Sequence, residues 1–289
     1  MGFLTKKKEK KEIEPQYYNI PVINVQAYNY KVYHMSKLEK VLTFLVGFAA
    51  GAFVGYLFYG GLGKDQYGNA TMVTYVCNVV ISGLVGLIAG KMILPIRNKQ
   101  IVENQKKKLR MQFRDMLEAV STSLGAGNNV MNSFQSSLHD LSVQYDPDAY
   151  ILQELRIILN GLENNMQIED LLENFGERSG IDDITSFANV FRICYRKGGN
   201  IRDTIRSTYD IISDKMNINE QIDTVVAGSK MDQNIMIVLP IVLIGVIKMM
   251  SPDFAANFAT VTGVLSTTFA ILIFVGAYFV GKSILNIKV

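Results

Sequence analysis

Apolar and polar positions divide this chain into two kinds of block. Residues 41–63, 66–90 and 254–281 contain no Asp, Glu, Lys or Arg, and a fourth charge-free run covers 233–247. Runs of roughly 18 or more apolar residues are long enough to cross a hydrocarbon core as helices. The fourth run is shorter; Met249 and Met250 extend it past Lys248, whose ammonium can reach the interface on its long stem. Between the two pairs the period becomes helical and one-sided. Leu109, Phe113, Met116, Leu117, Val120 and Leu124 share one face, and Leu152, Leu155, Leu159 and Leu162 repeat the pattern. The series Ile184, Phe187, Phe191, Cys194 and Ile201, Ile205, Ile212, Met216 continue it, with no alternating run of strand length between them. The pattern predicts an all-α membrane protein, with two N-terminal and two C-terminal transmembrane helices flanking a helical bundle of about six helices.

The turns of the bundle follow a rule of their own. Gly127-Asn128-Asn129-Val130, Asn165-Met166-Gln167-Ile168 and Gly199-Asn200-Ile201 each stop one helix at Gly or Asn, residues that tolerate a left-handed cap. Each then starts the next helix at an aliphatic residue, so Val130, Ile168 and Ile201 take equivalent places in three helical hairpins. Asp146-Pro147-Asp148 and Gly180-Ile181-Asp182-Asp183 supply further breaks, their carboxylates suited to N-caps.

Within the apolar runs, Gly47, Gly51 and Gly55 recur every fourth residue, as do Gly86 and Gly90. Small residues on one stripe let two helices approach closely in lipid, where dispersion must replace the hydrophobic driving force. Ser36-Lys37-Leu38-Glu39 has the spacing of a capping box ahead of the first run, and Pro240 predicts a kink in the third. Upstream, Tyr17, Tyr18, Tyr28, Tyr30 and Tyr33 enrich a segment that reads as an interfacial or flexible tail.

Charge adds orientation. Residues 1–40 carry eight Lys or Arg against four acids, and 91–110 carry seven against one. Both collars belong on the cytoplasmic side, where they also suit anionic lipid headgroups. The short 64–71 turn is then external, with Asn69-Ala70-Thr71 matching a glycosylation acceptor, and Lys282 and Lys288 return to the inside. No signal-peptide pattern follows the lysine-rich 6–11 stretch. Residues 111–232 reverse the balance, with ten basic side chains against nineteen acidic ones, a poor surface for nucleic acid. The expected organisation is a basic cytoplasmic tail (1–40), two spans (41–90), a cytoplasmic helical domain (91–232), two further spans (233–281) and a cytoplasmic end (282–289).

Chemistry is sparse. Cys77 lies in an apolar run and Cys194 in the bundle, and His34 and His139 stand alone, so neither a disulfide nor a metal or cofactor site is expected. Residues 276–283 satisfy the G-x-x-x-x-G-K-S expression, but that motif needs a loop between strand and helix, and here it ends an apolar run. Asn78, Ser82 and the Thr262, Ser266, Thr267, Thr268 group suit interhelical hydrogen bonds, and the spans hold no ionisable residue of the kind an ion-coupled pathway needs. No enzymatic constellation appears.

The order of these features resembles the GspF-type platform proteins of type II secretion and type IV pilus assembly, and among them the TadB-like proteins of tight-adherence (Flp) pili. The likeness rests on Ser123-Leu124-Gly125-Ala126-Gly127, Gly198-Gly199-Asn200-Ile201, Asp214-Lys215, Leu239-Pro240, Ser251-Pro252-Asp253-Phe254, Thr262-Gly263 and Gly281-Lys282-Ser283-Ile284. It covers roughly 105–289, while residues 1–100 agree only in span number. It implies a non-enzymatic protein of the cytoplasmic membrane that contacts a hexameric secretion ATPase. Such a protein inserts pilin subunits at a filament base and works as a homo- or hetero-oligomer beside a paralogous platform protein.

Two charged groups compete for the ATPase contact. Arg192, Arg196, Lys197 and Arg202 form a basic cluster around the third hairpin of an otherwise acidic domain, and electrostatic docking there is the expectation. Glu169, Asp170, Glu173 and Glu177 form an acidic helical stripe, expected to be solubilising surface. The competing reading of the whole chain is a four-span transporter or channel with a regulatory helical domain.

Overall fold

The computed structural model describes residues 14–20, 23–63 and 69–285. The 6–11 lysines, Lys64 and Lys288 lie outside the described residues, and Lys282 is described by its backbone alone. The described residues form β1 (Tyr17–Ile20), β2 (Val25–Tyr28), α1 (Lys37–Tyr59), α2 (Met72–Gly125), α3 (Val130–Gln144), α4 (Tyr150–Glu163) and α5 (Ile168–Ser179). They continue as α6 (Asp182–Lys197), α7 (Ile201–Met250), α8 (Pro252–Phe258) and α9 (Val261–Leu285). Four of these helices, α1, α2, α7 and α9, are long and apolar enough to span a membrane. The chain has the character of an all-α, multi-pass membrane protein. It divides into two units, one of residues 1–34 with 100–213, the other of residues 35–99 with 214–289.

The first unit is built on the inward stripes of its helices. Leu109, Phe113, Met116, Leu117 and Val120 of α2 are fully buried, as are Phe134 of α3, Leu152 and Leu155 of α4, Phe175 of α5 and Phe191 of α6. Phe113 meets Phe175 and Phe187 edge-on, with ring centroids 6.0 and 5.5 Å apart, the geometry the aromatic quadrupole favours. Val130, Ile168 and Ile201 each open a helix. The left-handed residues before them are Gly127 (φ 93°), Asn165 (φ 63°) and Gly198 (φ 70°). In the third hairpin it is therefore Gly198, and not Gly199, that takes the strained conformation. Asn200 acts at the other end of the turn, its side-chain oxygen accepting the Asp203 amide at 3.3 Å.

Two local expectations change. The carboxylates near Pro147 and Gly180 are not caps: α4 starts after Ala149 and α6 after Ile181, neither with a side-chain cap bond. Asp182 and Asp183 instead occupy the first turn of α6, where they complement the helix dipole. The tyrosine-rich segment is also not a tail. β1 and β2 pair antiparallel, Tyr17 opposite Tyr28 and Ile20 opposite Val25, and the hairpin packs Ile20 and Ala27 against Ile157 of α4. The two runs carry Tyr, Ile and Val, residues that strands favour, but each has only four residues.

The expected domain boundaries lie at 90/91 and 232/233. α2 and α7 continue as single helices through both, past Pro95 and Pro240. Loss of hydrophobicity ends a span but not a helix, because Lys, Arg, Gln and Glu are good helix formers.

The second unit contains the glycine stripes. α1 and α2 run antiparallel, and a Cβ added to Gly51 would lie 2.5 Å from Ala89 Cβ and 3.1 Å from Gly86 Cα. A Cβ on Gly47 would lie 3.2 Å from Gly90 Cα, and one on Gly55 3.1 Å from Val85 Cβ. Ser36 and Glu39 make both bonds of the capping box ahead of α1. Lys248 Nζ donates to the carbonyls of Leu57 (2.8 Å) and Phe58 (3.3 Å) at the C-terminal end of α1 and lies over the Phe258 ring. It thus satisfies backbone acceptors that a helix end leaves open. Pro252 stands at the first position of α8 behind Ser251, whose hydroxyl accepts the Phe254 amide.

Candidate functional site

The three hairpin turns of the first unit meet at one end of the bundle. Arg196, at the close of α6, donates to Glu169 Oε1 (3.2 Å) and Gln167 Oε1 (3.4 Å), which joins the third turn to the second. Gly125, at the end of α2, lines one groove with Arg202 and Arg206 of α7, which joins the third turn to the first. The helices arrive there because each inward stripe stops at a residue able to turn, and Asn129 and Asn200 restart the chain by accepting the Asn132 and Asp203 amides.

This end gathers the residues singled out in the sequence but redistributes their charge. Arg192 pairs with Glu173, and Arg196 with Glu169, so the basic cluster and the acidic stripe neutralise each other across the α5–α6 hairpin. The cause is register. Residues four apart on α5 face residues four apart on α6 in an antiparallel pair, and the two signs alternate helix against helix. Glu169 is 4% exposed and so is not solubilising surface, whereas Asp170 and Glu177 are exposed. Arg202 approaches its neighbour Asp203 at 3.7 Å, a weak exposed pair. Lys197 and Arg206 are exposed and have no charged partner among the described residues.

The groove itself has a volume of about 480 Å³. Glu118, Ser121 and Thr122 of α2 line one wall, and Arg202, Arg206 and Tyr209 of α7 line the other. Carboxylate, hydroxyl, guanidinium and phenol are thus presented together, a surface suited to a polar protein segment. Arg206 and Tyr209 were not anticipated from the sequence. Their signal was there, since both lie one helical turn or two from Arg202 on the same α7 face.

A second polar cluster anchors the N-terminal hairpin. Tyr30, Glu154 and Arg178 are buried together, with Arg178 Nη2 to Glu154 Oε2 at 2.6 Å and Nη1 to Glu154 Oε1 at 2.8 Å and to the Tyr28 carbonyl at 2.9 Å. Burial and the Glu154 carboxylate both raise the Tyr30 phenol well above its ordinary value. Burial works against the Arg178 charge, and the bonds to Glu154 more than offset it. Every charged atom is matched, so this is an internal tie and not a reactive group. Residues 276–283, which fit the phosphate-loop expression, lie inside α9, where their amides belong to the helix. Among the described residues no His, Cys, Asp and Glu group could hold a metal. Comparison with protein-family models, curated proteins and solved structures finds no match to this chain.

Proposed function

We propose that this chain is an inner-membrane platform protein of a tight-adherence or type IV-like pilus, or of a type II secretion machine. It couples a cytoplasmic hexameric secretion ATPase to insertion of pilin subunits at the filament base. Two spans precede the helical unit and two follow it, the basic collars put that unit and both termini in the cytoplasm, and oligomers with itself or a paralogous platform protein complete the base. The observation that carries this reading is the meeting of three hairpin turns at one end of the helical unit, beside two helices that each also supply a membrane-spanning segment. A motor gripping that end acts on α2 and α7, whose backbones continue into the spans, so displacement needs no loop to transmit it. The protein's part is mechanical, without cofactor.

Lys197 and Arg206 are the cations left to meet the motor. Co-purification of the full chain with the cognate ATPase tests the reading: Lys197→Glu with Arg206→Glu abolishes capture, while the chain's melting temperature stays unchanged. Undiminished capture removes this end as the contact. Exposure of a reporter fused near residue 165 on the outer face removes the assignment altogether.

A further inference from the structure

The glycine register places two separate basic collars together. Gly47 of α1 faces Gly90 of α2, the Cβ of one lying 3.2 Å from the Cα of the other. Lys40 is seven residues before Gly47, and Arg97 seven after Gly90. Seven residues are two turns within about 20° of rotation. Because α1 and α2 are antiparallel and α2 stays helical through Pro95, the glycine register projects Lys40 and Arg97 onto facing stripes two turns beyond the glycine contact. Lys37, three residues before Lys40, extends the same face. Among the described residues none of the three has an ion-pair partner, and all three are exposed. The one nearby carboxylate on α1, Glu39, is held by the Ser36 amide at 2.8 Å.

We infer that Lys37, Lys40 and Arg97 form a clamp for the phosphate of an anionic phospholipid. Like charges converging on facing stripes repel, and a bridging anion removes that repulsion while each cation gains a charge-assisted bond. The level selects lipid as the source. Lys40 immediately precedes the charge-free 41–63 run, and Arg97 follows the end of the 66–90 run by two turns, which is where headgroup phosphates lie beside a span. Such a clamp holds the first two spans together at the end where glycine contacts no longer do, and it does not depend on what the protein's partners are.

Native mass spectrometry of the full-length chain, equilibrated with phosphatidylglycerol and phosphatidylcholine of matched acyl chains, tests this. The parent chain retains phosphatidylglycerol preferentially. Surface attraction alone is worth roughly fivefold per cation, so it lowers the ratio about 25-fold in Lys40→Gln with Arg97→Gln and in the charge-matched Lys91→Gln with Lys99→Gln alike. The clamp adds the loss of two charge-assisted bonds, so Lys40→Gln with Arg97→Gln falls at least about tenfold further than that control. Retained phosphatidylcholine adducts verify that each variant is folded. An excess of inorganic phosphate leaves the ratio unchanged. No preference in the parent, equal losses in the two double variants, or stripping by inorganic phosphate overturns the clamp.

Discussion

The Tyr30 hydroxyl donates to Glu154 Oε1 at 2.9 Å across 124 residues of sequence, with both side chains at most 1% exposed. Tyr30 belongs to the segment just after the β-hairpin, and Glu154 to the inward face of α4. Arg178 of α5 closes the cluster from the other side, holding both Glu154 oxygens and the Tyr28 carbonyl. The N-terminal segment is therefore fastened to the helical unit by a buried charge pair and one phenol.

Removing one partner of that pair strands the other. Arg178→Met leaves the Glu154 carboxylate buried without its cation, and the expected cost is about 3–5 kcal/mol. Tyr30→Phe deletes one hydrogen bond to a charged acceptor that keeps its arginine, at about 1–3 kcal/mol. Thermal melts of the detergent-solubilised chain should rank Arg178→Met well below Tyr30→Phe. Equal melting temperatures for the two would contradict a network centred on the charge pair.

Three raised phenols set an alkaline limit. Tyr30 is raised above its ordinary 10.0 by burial and then by Glu154, Tyr145 is raised by burial and then by Asp115, and Tyr150 is raised by burial and then by Tyr28. In the folded chain these phenols keep protons that the unfolded chain has lost above pH 10, so the folded state binds more protons there. Stability is then complete below pH 10 and falls as pH rises through the folded values. Melting temperature should be flat up to about pH 9 and decline beyond about pH 10. Tyr30→Phe should show a shallower decline; an unchanged slope would mean that its phenol ionises as freely folded as unfolded.

Much of this was legible in the sequence, and the limits are instructive. Apolar runs, inward stripes and turn residues follow from local chemistry, and Leu109 through Val120 and the helix starts at Val130, Ile168 and Ile201 are placed by it. Pairing is non-local. Nothing in the order of residues says that Glu169 and Glu173 face Arg196 and Arg192, since that depends on the register of two helices. One non-local sign was available: Glu154 lies between Ile151 and Ile158 on an apolar stripe, and an acid there requires a buried cation. The hairpin escaped because its two strands have four residues each, too few for alternation to stand out beside a lysine-rich flank.

The α5–α6 ladder gives a charge-reversal test. Glu169 Oε2 is buried without a hydrogen-bond partner, so Arg196 is the group that offsets this carboxylate. Arg196→Glu sets two carboxylates together and should cost about 1–2 kcal/mol, a modest figure because the arginine is 56% exposed. Adding Glu169→Gln should recover most of the loss, since the neutral amide can donate to the new carboxylate. Lys197→Glu, one residue on, should leave the melting temperature unchanged. Loss of stability in Lys197→Glu equal to that in Arg196→Glu would remove the distinction between paired and free cations.

The glycines of the first two spans should differ in their tolerance of a methyl group. At Gly51 a Cβ meets Ala89 Cβ at 2.5 Å and the Val85 carbonyl at 3.0 Å, and neither can rotate away. At Gly55 the nearest atom is Val85 Cβ at 3.1 Å, a few tenths of an ångström from ordinary contact. At Gly83 nothing lies within 4 Å, so alanine there costs no packing and gains up to about 1 kcal/mol of helix propensity. Gly51→Ala must part the helices and lose dispersion along the stripe, at about 1–3 kcal/mol. The expected order of melting temperatures is Gly83→Ala at or above the parent, then Gly55→Ala, then Gly51→Ala. Crosslinking between cysteines introduced on α1 and α2 should weaken in the same order. If Gly51→Ala crosslinks and melts like Gly83→Ala, the two helices do not approach through their glycines.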